Sequence, residues 1–129
     1  MVGVLLTNDQ TASAGDVLAM ILKALPQTSI IGENSLGIYS AMYGFELPNK
    51  WQVSLSSQKY YSSKMICYEG NGTPVNIRVK NTKEDIKAIQ DPVVSAAFRY
   101  LKKRKSKIGL FIVKMKTEAN FAKYGLPIT

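Results

Sequence analysis

The chain has 129 residues, of which 46% are hydrophobic and 20% charged, and a formal net charge of +8. That length suits one domain with a real core, and the balance of apolar and charged residues excludes disorder as a class. With no histidine and a single cysteine, Cys67, an internal disulfide, a structural zinc site and a Cys–His dyad built from this chain alone are all excluded.

Residues 2–6 are a short, almost continuous apolar run with no polar face, the pattern of a strand buried on both sides. Asn8, Asp9 and Gln10 form a turn. Ser13 and Asp16 then stand at capping-box spacing, in which the serine oxygen and the acidic side chain each satisfy an orphan backbone N–H. Val17, Leu18, Ile21, Leu22 and Leu25 follow on a single helical face, and Pro26 ends that helix. Residues 28–31 read as a second buried strand. The opening stretch is therefore expected to be a β-α-β unit with parallel strands.

A polar, glycine-bounded loop occupies residues 32–37. Apolar side chains then alternate at Tyr39, Ala41, Tyr43, Phe45 and Leu47, turn through Pro48, Asn49 and Lys50, and alternate again at Trp51, Val53 and Leu55. This predicts an antiparallel hairpin. Residues 58–61 and 65–69 are weaker strand candidates and 75–79 a stronger one, entered through a loop marked by Gly70, Asn71, Gly72 and Pro74. Thr82 and Asp85 repeat the capping-box spacing at a short helix. Asp91 and Pro92 are an N-cap and N1 pair, opening a helix to about Lys103 with Val94, Ala97, Phe98 and Leu101 facing inward. Residues 108–115 read as another strand, and Thr117 caps a last short helix that Gly125 and Pro127 terminate. The expected organisation is one unit over residues 1–105 and a tail over 106–129.

The charge is local. Between Arg99 and Lys116 lie eight basic residues and no acidic one, which leaves nine basic residues against nine acidic ones elsewhere. Such a run can meet phosphate backbones or an acidic partner. The plainer reading is a solvated helix end. No aromatic platform accompanies the run, so nucleic acid is not the expected partner. The strand at 108–115 suggests another use for the tail, docking on the domain's own sheet or on a second subunit's edge in a homo-oligomer. No apolar stretch reaches the roughly 20 residues of a membrane span, and no basic-then-apolar leader is read at Met1.

Five motifs in order resemble the catalytic domain of the tail-specific, or C-terminal-processing, serine peptidases, including their tricorn-like branch. They are T-A-S-A-G-D at 11–16, G-E-N-S-L-G at 32–37, L-P-N-K-W at 47–51, Y-E-G-N-G at 68–72 and D-P-V-V-S-A-A at 91–97. The resemblance implies an α/β fold of the crotonase and Clp-protease type, a β-α-β core with an added antiparallel hairpin. It implies hydrolysis of peptide bonds in polypeptides, with no metal or cofactor. For location it implies the cell envelope or another extracytoplasmic site.

The resemblance also assigns residues. It makes Ser13 the nucleophile and the Ala14 N–H one half of the oxyanion hole, whereas Ser-x-x-Asp taken alone is the signature of a helix cap. Asp16 stands in place of the family's usual glutamate. One branch of the family takes its base from a lysine, at the position held here by Ile38. The tricorn-like branch uses a histidine supported by a glutamate, which maps onto Glu69; alone, Glu69 reads as a solvated acid at a strand end. In those relatives the histidine and a glycine-rich strand-turn lie upstream of the nucleophile. The chain is thus expected to be the C-terminal half of a peptidase domain, needing that N-terminal part as its partner and inactive alone. The alternative is a non-catalytic relative that binds peptides or partners. A further departure is Val75-Asn76, where many relatives have Pro-Asp.

Overall fold

The structure is a computed structural model that describes residues 2–104. Strand β1 (Gly3–Thr7) leads into helix α1 (Ala14–Lys23), and β2 (Thr28–Gly32) returns parallel to β1, pairing Gly3 with Thr28 through to Thr7 with Gly32. The β-α-β unit is as expected. The third strand, β5, is reduced to Ile77–Arg78 and lies parallel on the other side of β2, giving the order β1-β2-β5. Asn76 extends that edge. Its backbone N–H donates to the Ile30 carbonyl at 2.8 Å, and its Oδ1 accepts the Ile30 N–H at 2.9 Å. The side chain that departs from the family pattern thus serves as a ladder acceptor.

Alternation along the strands divides the core. Val4, Leu6 and Ile31 face α3 (Pro92–Lys103), where Ala96, Ala97 and Leu101 are buried against them. Leu5 and Ile30 face α1 and meet Ala19, with Leu22 and Val75 alongside. A sheet covered by helices on both faces needs apolar residues at every strand position, which is why residues 2–6 show no polar face.

Helix α3 begins as its sequence requires, with Asp91 accepting the Val94 N–H at 3.1 Å and Pro92 in the first turn. Phe98, expected inside, is instead 51% exposed; the face that packs is Ala97 and Leu101 with Ala96, and Val93, Val94 and Tyr100 lie partly buried around it. Small residues at 96 and 97 let the helix approach the sheet, and a phenylalanine one position on falls outside that arc. Helix α2 (Lys83–Lys87) carries its expected cap. Thr82 Oγ1 accepts the Asp85 N–H at 3.1 Å, while Asp85 Oδ2 accepts the Thr82 N–H at 2.8 Å.

The hairpin forms from β3 (Met42–Glu46) and β4 (Gln52–Ser56), antiparallel with Met42 opposite Ser56. It starts later than its alternation suggested, and neither face is buried within the described residues; Met42, Tyr43, Phe45, Trp51 and Leu55 are all exposed. Tyr39, expected in the strand, lies before it and is buried. The weaker strand candidates at 58–61 and 65–69 are loop and turn. The Ser62 carbonyl and hydroxyl hold a local turn through the Met65 and Ile66 N–H groups, which competes with a ladder. The boundary near Ser106 and the tail beyond it fall outside the described residues. No described helix is long and apolar enough to cross a membrane.

Candidate active site

The segment between β1 and α1 is closed by its own side chains. Thr11 Oγ1 accepts the Asn8 N–H at 3.1 Å, the Thr11 N–H returns to the Asn8 carbonyl at 3.0 Å, and the Thr11 carbonyl accepts the Leu36 N–H at 2.7 Å. The chain then enters α1 through Ser13, whose backbone stands at φ 56°, ψ −119°. This is the mirror image of the extended region, free to glycine and sterically opposed for an L-residue. Such a conformation costs of order 1–3 kcal/mol and persists only where the surroundings impose it.

Asp16 supplies much of that imposition. Its carboxylate is wholly buried and accepts three backbone N–H groups from two segments. Oδ2 takes Ser13 at 3.1 Å and Ile38 at 2.9 Å, and Oδ1 takes Gly37 at 3.0 Å. The Ser13 N–H is shared with the Ile38 carbonyl at 2.9 Å. Ser13 and Asp16 thus form the expected capping box, in which the Asp16 carboxylate makes the close hydrogen bond and the Ser13 side chain faces the Asp16 N–H without a side-chain cap hydrogen bond. It stands exposed at the helix start beside an exposed Ala14, whose backbone N–H finds no acceptor among the described residues. An unpaired donor at the positive end of a ten-residue helix is suited to a developing oxyanion.

Glu69 lies on a neighbouring loop. Its Oε2 accepts the Tyr39 N–H at 3.2 Å, and the Gly70 N–H donates to the Gly37 carbonyl at 2.8 Å. Two glycines make this approach possible. A Cβ on Gly72, at φ 72°, would sit 1.8 Å from the Ser35 carbonyl oxygen, and one on Gly37, at φ 88°, would sit 2.6 Å from the Gly72 nitrogen. Beneath them Ser35 Oγ accepts the Thr73 N–H at 2.8 Å, and the Tyr39 hydroxyl is bonded to Thr73 Oγ1. Burial pushes the Tyr39 phenol up from its ordinary pKa, against the lowering effect of its hydrogen bonds to Thr73 and Ser35.

Ser13, Ala14, Asp16 and Ile38 are therefore brought into one cluster. Glu69 joins it one residue away, through Tyr39, and makes no hydrogen bond to Ser13. Ile38, at the family's lysine position, is held by its backbone on both sides while its side chain is 49% exposed. Beside the cluster opens a shallow groove of about 470 Å³ that Ser13 and Ala14 help to line. Val17, Leu18 and Ile21 of α1 line it too, together with Tyr39, Ala41 and Tyr60. Among the described residues no group of three cysteine, aspartate or glutamate side chains converges as a metal ion requires. The sequence alone missed Tyr39 and Tyr60. Tyr39 looked like one more step of the hairpin alternation, and nothing local marks Tyr60.

Comparison with known proteins bears on this arrangement. The profile of Peptidase family S41 matches residues 2–79. No curated protein matches significantly. Among solved structures, a protein assigned as a peptidase from Parabacteroides merdae ATCC 43184 is 28% identical with a TM-score of 0.69, over 76% of this chain and 31% of its own. The photosystem II D1 C-terminal processing protease is 26% identical with a TM-score of 0.52, over 60% of this chain and 20% of its own. The tricorn protease shares the fold at 17% identity and a TM-score of 0.67, over 78% of this chain and 10% of its own. The chain thus spans less than a third of the length of each of these structures.

Proposed function

The chain belongs to peptidase family S41, and from that membership we propose that Ser13 is the nucleophile of a serine-type peptidase acting on polypeptides. The Ala14 N–H is half of its oxyanion hole, and Glu69 orients or supports the base. The observation that carries this reading is the Ser13 backbone at φ 56°, ψ −119°. A capping serine has no need of a strained φ. A nucleophile held out at a strand-to-helix turn does.

In the proposed reaction Ser13 Oγ adds to the scissile carbonyl carbon, and the charge gathering on the carbonyl oxygen is met by the Ala14 N–H and the positive end of α1. The amine leaves with the proton taken from Ser13, and water then hydrolyses the acyl-enzyme. A serine hydroxyl needs a base at neutral pH. There is no histidine in the 129 residues, and Ile38 holds the lysine position. The base is therefore assigned to a segment upstream of this sequence, in keeping with a chain that spans 31% of the Parabacteroides structure. The isolated chain is expected to be inactive or nearly so.

A fluorophosphonate probe on the full-length protein tests the assignment. Labelling should be lost in a folded Ser13→Ala variant, and labelling that survives the substitution overturns it. The same absence of a base favours a second reading, a non-catalytic relative that binds peptides or partners. That reading holds if the full-length protein never labels and Ser13→Ala retains peptide binding.

A further inference from the structure

Helix α3 packs on the sheet through Ala96, Ala97 and Leu101 and leaves Phe98, Arg99, Lys102 and Lys103 exposed, with Arg104 exposed directly after it. Phe98 and Arg99 stand one helical turn before Lys102 and Lys103, so the four share one outer face. Arg104 closes it, its guanidinium 5.0 Å from the centre of the Tyr100 ring. None of these cations is ion-paired among the described residues, whose salt bridges join Lys50 to Glu46 and Lys80 to Glu33. From Pro92 to Thr117 the sequence holds eight basic residues and no acidic one. The attraction of cations to the end of a helix dipole accounts for Lys102 and Lys103 in the last turn. It accounts neither for Arg99, a turn earlier, nor for a phenylalanine 51% exposed among the charges.

We propose that this face of α3 is a docking surface for a membrane rich in anionic phospholipid, which the protein meets peripherally. The cations lie against the headgroup phosphates, and Phe98 enters the boundary between headgroups and acyl chains. Charge complementarity chooses the sign of the partner, and Phe98 chooses its kind. A nucleic-acid duplex offers phosphates to the basic face but no apolar layer to the ring. A single strand stacks successive bases on several rings, where this face has one. A lipid surface rewards both parts, through electrostatic attraction to anionic headgroups and burial of apolar area. The sequence past the helix repeats the combination, with Lys105 and Lys107, six residues without a polar side chain at 108–113, then Lys114 and Lys116. The inference is independent of the role of Ser13.

Co-sedimentation of the full-length protein with vesicles tests it, comparing phosphatidylcholine alone with phosphatidylcholine containing about one-third phosphatidylglycerol. Binding should require the anionic lipid and fall steeply as salt is raised. Each lysine or arginine at such a surface strengthens binding roughly fivefold, so replacing Arg99, Lys102, Lys103 and Arg104 together by glutamine should weaken it about a hundredfold or more. Phe98→Ser should weaken it at least about threefold without changing the salt dependence. Tm values equal to that of wild type show that the variants fold; should the fourfold variant melt early, Phe98→Ser and the salt series on the wild type decide by themselves. Equal binding to both vesicles, binding to neither, or binding that a folded fourfold variant retains overturns the surface. Duplex DNA bound more tightly than anionic vesicles at the same salt, with Phe98→Ser as tight as wild type, overturns it in favour of a nucleic acid.

Discussion

The backbone N–H of Ser13 donates to the carbonyl oxygen of Ile38 at 2.9 Å, and the Ile38 N–H returns to Asp16 three residues beyond Ser13. The turn that carries the proposed nucleophile and the segment at residue 38 are therefore one hydrogen-bonded unit. A side chain at 38 therefore starts from backbone already joined to Ser13. In this chain residue 38 is an isoleucine, joined to the Ser13 turn through its backbone alone.

The strain at Ser13 sets an opposition between stability and chemistry. Glycine takes φ 56°, ψ −119° without steric penalty, so Ser13→Gly is expected to raise the stability of the full-length protein by about 1 kcal/mol while abolishing fluorophosphonate labelling. Ser13→Ala should lose labelling and change stability by less than the ~1 kcal/mol of a lost cap, because the close bond of the capping box is made by the Asp16 carboxylate to the backbone of residue 13 and survives the substitution. Urea melts of the two variants beside wild type decide it. A Ser13→Gly variant less stable than wild type would contradict the strained turn.

Asp16 is a buried acceptor for three N–H groups. Asp16→Ala leaves all three without it, and Gly37 has no other acceptor among the described residues, so a loss of about 3 kcal/mol or more is expected. Asp16→Asn keeps one acceptor oxygen and should fall between. The order wild type, Asn, Ala in urea midpoint checks this, and equal midpoints for Ala and wild type would remove the clamp from the account.

Gly70 and Gly72 share a left-handed conformation but differ in room. A Cβ on Gly70, at φ 77°, meets nothing within 4 Å, so Gly70→Ala should cost only the roughly 1–2 kcal/mol of a strained φ. Gly72→Ala adds a collision with the Ser35 carbonyl and must move backbone. It is expected to lose several kcal/mol and to release Glu69 from Tyr39. Paired thermal melts check the difference, and equal Tm values would show that the two loops are not locked.

Tyr39 gives a pH dependence with a definite sign. Its folded pKa is raised by burial, so the native state holds the phenol proton more tightly than the unfolded chain does. The stability it contributes is complete below the ordinary tyrosine value of about 10 and is lost as pH rises through the raised value. Tyr39→Phe leaves the fully buried Thr73 hydroxyl without its partner and should lose about 1–3 kcal/mol at neutral pH. It should also flatten part of the alkaline decline. Urea midpoints of both proteins from roughly pH 8 to 11 measure this, and identical alkaline slopes would exclude Tyr39 as the group.

The β-α-β unit was legible because burial on both faces of a sheet leaves an unbroken apolar run, and the caps at Thr82 and Asp91 were legible because they are local. Ser13 was legible as a position, though not as a conformation; the pattern Ser-x-x-Asp is the same whether the serine caps or is held away. The α1 stripe was read correctly as one face, but periodicity cannot say which face meets the sheet. Here Ala19 does, since a small residue permits close approach. Glu69 and Tyr39 come together only through the crossing of two glycine loops, a contact between distant segments that no short window contains. The hairpin's alternation promised a buried face that the described residues do not supply.

The sheet is unevenly fastened. β1 and β2 are paired over five residues in register, whereas β5 holds β2 through two, helped by the Asn76 and Val79 amides. The connection over residues 33–76 is somewhat more than twice as long as that over 8–27, which by loop length alone adds about 0.6 kcal/mol to its closure. Few pairs and a long connection make the β5 side the first to open and the last to close. Glu69 and residues 37–38, which clamp the Ser13 turn through Asp16, all belong to the long connection, so the strained turn is complete only once that connection has closed. Native-state hydrogen exchange would register this as faster exchange at Asn76 and Val79 than at Leu5.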